Sequence, residues 1–81
     1  MMRVQFEIDN SSITKAFEKN KTPRENQIEL PGLLFVQFFA DDDEIVLTHA
    51  NPNPNGGFLG KSAVCLNRKQ VELLRNALAS V

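Results

Sequence analysis

Residues 33–40 carry almost no polar side chain. Leu34, Val36 and Phe38 point to one side of a strand and Leu33, Phe35 and Phe39 to the other, with Gln37 as the one interruption. A strand apolar on both sides has to be covered on both sides. The chain has 81 residues, 42% of them hydrophobic, enough for one domain with a thin core. A core of that size supplies only about 3–5 kcal/mol, so beside the C-terminal helix the second cover of the central strand is expected to be the N-terminal segment or another subunit.

The flanking segments order themselves around this strand. Met2, Val4, Phe6 and Ile8 alternate with Arg3, Gln5 and Glu7, the period of a half-buried strand. The run Asp9-Asn10-Ser11-Ser12 is rich in helix-start residues. Ile13, Ala16 and Phe17 follow at i, i+3 and i+4, which predicts a short helix over residues 12–20 with one narrow apolar stripe. Thr22-Pro23-Arg24-Glu25 has the form of a capping box, but Pro31 ends any helix quickly, so this stretch reads as connection.

A strand at Ile28-Glu29-Leu30 is followed by Pro31-Gly32, where a type II turn wants proline and glycine. Asp41-Asp42-Asp43 reads as a solvated turn leading into a strand over 44–50, and Asn51 to Gly57 as a surface loop. The last strand is expected over 58–66. Asn67 is then a good N-cap with Gln70 three residues on, and Leu66 can staple onto Val71. Val71, Leu74, Leu78 and Val81 continue at helical spacing. The expected fold is α+β: an antiparallel sheet of four to five strands, a C-terminal helix packed on one face, and a short N-terminal helix.

The inventory for catalysis is short, with one His, one Cys and neither Tyr nor Trp. Cys65 and His49 lie on neighbouring expected strands, yet a lone Cys is usually a small core hydrophobe, and we assign no catalytic residue. Consecutive acids at 41–44 lack the alternation and glycine of a calcium loop, so no metal or cofactor is assigned. Gly60-Lys61-Ser62 resembles the end of a phosphate loop. Asn55 stands where the earlier glycine is required, however, and a strand follows where a helix must open.

Charge is nearly balanced at −1, so any anion site must be local. Arg68 and Lys69 occupy the first turn of the last helix, the end at which the dipole prefers acids, and with Lys61 they form one candidate anion or nucleic-acid site. Lys15, Lys19, Lys21 and Arg24 form a second cluster, with Phe17 and Phe58 as candidate stacking surfaces. Leu34, Val36 and Phe38, with Leu74 and Leu78 of the last helix, are the candidate dimer or partner surface. No leader pattern or long apolar run is evident, and the lone thiol suits a reducing cytoplasm.

The order of strands and closing helix, and the run Gly60-Lys61-Ser62-Ala63-Val64-Cys65-Leu66-Asn67-Arg68-Lys69-Gln70 leading into Leu73-Leu74, resembles the positive-cofactor-four family of transcriptional coactivators over about residues 28–80. The resemblance implies a homodimer formed partly through the C-terminal helix, binding single-stranded DNA across its sheets, with Lys61 as a backbone contact. The chain departs from it in lacking basic residues on the central strand. Two functions are therefore expected: a non-catalytic protein-interaction or regulatory module acting as a homodimer, favoured by the near-neutral charge, or a single-stranded nucleic-acid-binding protein.

Overall fold

The computed structural model describes residues 3–23 and 26–80. Helix α1 (Asn10–Lys19) precedes strands β1 (Gln27–Leu30), β2 (Leu34–Phe39), β3 (Glu44–Pro52) and β4 (Phe58–Leu66), and helix α2 (Arg68–Ala79) closes the chain. The strands form one antiparallel sheet in sequence order, an α+β meander. Residues 3–8 of the strand expected over 2–8 join no ladder, and neither does Asp9. They run as an unpaired strap, and one visible tie is the Gln70 side chain donating to the Glu7 carbonyl at 3.2 Å. Period two is a property of side chains alone, and a strand also needs a neighbour's backbone. Met2 lies outside the described residues, as do Arg24 and Glu25 of the expected capping box and Val81 of the last stripe.

Local chemistry explains the helix ends. Asp9 caps α1: its Oδ1 accepts from the Ser12 backbone N–H at 3.0 Å and from the Ser11 hydroxyl at 2.6 Å, so the helix begins two residues earlier than the stripe suggests. Those bonds, the Ser11 hydroxyl foremost, hold the Asp9 pKa below its ordinary value. Asn67 and Gln70 form the expected reciprocal capping box of α2, both bonds at 2.9 Å, and the staple partners Leu66 and Val71 are both buried. The Pro31-Gly32 reversal places Gly32 at φ 88, as a type II turn requires, and carries Leu33 into the left-handed region at φ 59.

The register sorts the sheet into two faces. Face A carries Gln37, Val46 and Cys65 in one row and Phe35, Thr48 and Ala63 in the next. Helix α1 packs there, mostly on β4, through Ala16, which sits with Val46, Ala63 and Cys65 in the buried core. The alanine lets the helix approach closely, so Ile13 and Phe17 fall to its flanks and stay about two-fifths exposed, where the sequence pattern places them in the stripe. Gln37 interrupts the apolar run because its Nε2 donates to the Pro23 carbonyl at 3.2 Å, tying down the connection after α1.

Face B is the opposite side. One row crosses all four strands as Ile28, Val36, Leu47 and Val64; the next is Leu30, Leu34, His49 and Ser62; the third is Phe38, Ile45 and Leu66. Helix α2 reaches only the end of this face, where the Arg75 guanidinium lies 5.4 Å from the Phe38 ring centre and 3.4 Å from Asp43. The chain is expanded for its size. Its radius of gyration is 13.6 Å against about 12 Å expected for a domain of this length.

Candidate functional site

Face B is where the sequence demanded a cover and the chain does not provide one. Its three rows contain no Asp, Glu, Lys or Arg, and His49 is their one titratable side chain. Ile28 is 61% exposed, while Leu34, Val36, Leu47 and Val64 are half-buried. A groove of about 290 Å³ runs over Leu34, Leu47 and Val64 and is bounded by Ile8 of the strap and Ile13 of α1. Beside it, Leu78 of α2 is 64% exposed and Leu73 about half. The expected partner-surface residues Leu34, Val36 and Phe38 thus share one face, with Leu74 half-buried and Leu78 exposed on the adjoining helix.

The chain exposes 6111 Å², whereas a compact monomer of 9.1 kDa exposes about 4,900 Å², and the excess is spread over the strap, the helices and the start of β4 as well as face B.

The basic residues behave differently from the sequence expectation. Lys15 and Lys19 stand one helical turn apart on α1 and both reach Glu44, Lys19 at 3.1 Å, and Lys19 also meets Asp42 at 2.7 Å. Asp43 pairs with Arg75 of α2, and Arg68 lies close enough to Asp42 to help hold its carboxyl ionised. Residues 41–43 form the expected turn with Asp41 and Asp42 exposed, but Glu44 is buried at the start of β3, and with Asp42 and Asp43 it makes an electrostatic clasp to the two helices. Lys15 and Lys19 are occupied there. Lys61 sits five residues before the end of β4, about 17 Å along the strand from Arg68 and Lys69, so the structure does not gather these three into one positive spot. Lys21 and Lys69 are exposed, and Arg24 lies outside the described residues.

The clasp sets a pH response. Hydrogen bonding to Glu44 raises the Lys15 pKa; burial pulls that of Lys19 down, but its bonds to Asp42 and Glu44 outweigh this and leave it raised. The hydrogen bond from Lys19 lowers the Asp42 pKa. The lysine contribution is present below the ordinary value of 10.5 and is lost as pH rises through the raised values. The Asp42 contribution is present above 3.8 and is lost as pH falls through the lowered value. Melting temperature is expected to fall at both extremes, and Lys19→Met is expected to flatten the alkaline limb. An unchanged alkaline limb in that variant would remove Lys19 from this account.

Cys65 and His49 do not meet. Cys65 lies in the core on face A and His49 on face B, opposite sides of one sheet. Burial, with the Glu44 carboxylate second, pushes the thiol pKa up, which disfavours the thiolate. Cys65 is expected to resist a thiol-reactive disulfide reagent in the native protein and to react fully in denaturant. Fast native labelling would contradict its burial. Among the described residues no group of three or more His, Cys, Asp or Glu could hold a metal ion, and no helix is long and apolar enough to cross a membrane.

Comparison of the chain with protein-family models, curated proteins and solved structures gave no match.

Proposed function

We propose that this chain is a non-catalytic interaction module that acts as a homodimer through face B. The observation that carries the reading is the charge-free set of rows, Ile28-Val36-Leu47-Val64 and Leu30-Leu34-His49-Ser62, left open on one side of the sheet. Two-fold pairing sets a surface against its own copy, so a patch bearing lysines or carboxylates would meet like charge; this one would not. Dimer formation leaves the clasp and the exposed cations Lys21, Lys61 and Lys69 available for contacts with a further protein. A reducing, cytoplasmic setting suits the free thiol.

The alternative, single-stranded nucleic-acid binding, loses Lys15 and Lys19 to Glu44 and Asp42 and lacks a continuous cationic track. Sedimentation equilibrium of the full chain at micromolar concentration is the direct test, with the mass of two chains expected. A single-chain mass at all concentrations would overturn the homodimer. Salt-dependent binding of a labelled single strand would favour the nucleic-acid reading.

A further inference from the structure

Face A is not wholly covered either. Helix α1 gives way at Asn20, and beyond it the sheet opens a cleft of about 200 Å³, on the opposite side from the apolar rows and independent of them. Thr48 and Ala50 are buried at the bottom of it, and Phe35, Phe58, Lys61 and the amides of Asn20 and Gln27 complete its lining. Among the described residues no carboxylate lines this cleft, although Glu29 stands opposite Phe35 in the register at its edge. Asn20 Nδ2 donates to Thr48 Oγ1 at 3.2 Å and the Thr48 hydroxyl lies 3.4 Å from Asn20 Oδ1 as a donor in return, so the two side chains tie each other down and the second amide N–H of Asn20 is the donor this pair does not use. The Phe58 ring is 56% exposed, an aromatic surface that gains by being covered.

Two aromatic rings, one ammonium, one hydroxyl and two amides call for a guest that is flat, apolar over its faces and anionic at one end. We infer that the cleft binds a small aromatic carboxylate, its ring against Phe58 and Phe35 and its carboxylate on Lys61 with the Asn20 amide beside it. The volume lies below the usual range for drug-sized sites, so the guest is about one or two fused rings with a single charged substituent. A nucleic-acid strand is disfavoured here because, among the described residues, Lys61 is the one cation lining the cleft, whereas a strand needs several along its backbone.

The test is a titration of the full-length chain with benzoate and 2-naphthoate, read by calorimetry and by amide chemical shifts of residues 48, 50 and 61. Saturable binding is expected, with cyclohexanecarboxylate and benzylamine each at least about fivefold weaker because one lacks the aromatic faces and the other the charge. Lys61→Gln is expected to weaken naphthoate about tenfold, the loss of one charge-assisted contact. Phe58→Ala is expected to weaken it about fivefold; both side chains are exposed, so circular dichroism should show the fold retained. The Leu47→Asp variant is expected to bind naphthoate as the wild type does, which separates this site from the dimer.

The inference is overturned by an absence of saturable shifts at about 10 mM ligand, a concentration any useful site of this size should reach. Benzylamine binding equal to benzoate would overturn it, as would affinities unchanged by Lys61→Gln and Phe58→Ala. An oligothymidylate that binds more tightly than naphthoate through these same two residues would replace it with a nucleic-acid site.

Discussion

Leu47→Asp is expected to convert the proposed homodimer into single chains at micromolar concentration. Leu47 lies mid-row on face B, between Val36 and Val64, and a two-fold axis places the new carboxylate in the interface twice. Burying one unpaired polar or charged group costs about 2–3 kcal/mol even where water partly follows it in, so two cost about 5 kcal/mol, a dimer dissociation constant raised about 10³–10⁴-fold. Sedimentation equilibrium reads this directly. Lys61→Gln, on the other face, should leave the mass unchanged. A Leu47→Asp protein that sediments like the wild type would place the interface elsewhere.

The second large effect falls on the clasp. Glu44→Ala leaves Lys19, whose side chain is 13% exposed, without its buried partner and removes the acceptor of Lys15. Breaking a fully buried pair costs about 3–5 kcal/mol, but Lys15 is half exposed and Lys19 keeps Asp42, so the expected loss is about 2 kcal/mol. For a core of this size that is about half of the available stability. Glu44→Gln, which retains shape and an acceptor, should cost about 1 kcal/mol, and Asp42→Ala, at an exposed and solvent-screened carboxylate, clearly less than either Glu44 variant. Urea unfolding at one fixed protein concentration gives the series, since dimer stability depends on concentration. If Asp42→Ala costs as much as Glu44→Ala, burial of Glu44 is not what gives the clasp its strength.

Much of the architecture was legible because it is written in short-range chemistry. The span of β4, the capping box of Asn67 and Gln70, and the reversal at Pro31-Gly32 depend on residues within four positions of each other. The two-sided character of residues 34–39 was legible for the same reason: alternation assigns each side chain to a face before any partner is known. The same logic misled at residues 3–8, where alternation is present and a ladder is not. It also misled at Glu44, the last of an acidic run whose first members, Asp41 and Asp42, are exposed in a turn as expected. Glu44 is the first residue of β3, and the pleat turns it under α1 toward two lysines some thirty residues earlier in the chain.

The candidate sites divide in the same way. Leu34, Val36 and Phe38 were identifiable as one surface from their spacing. That this side is the one left open follows from where α1 docks, and α1 docks on face A because Ala16 there meets the small residues Ala63 and Cys65. The cleft of Thr48, Phe35, Phe58 and Lys61 had no sequence signal, since its lining comes from all four strands and the end of a helix.

By itself, then, the sequence determined the elements, their caps, and the requirement that the central strand be covered twice, because each is set by neighbouring residues and by the periodicity of the backbone. Only the tertiary structure decided which face the chain covers for itself, which lysines are consumed in the clasp, and where a cleft remains. Those outcomes depend on distances between residues far apart in sequence, which no local pattern encodes.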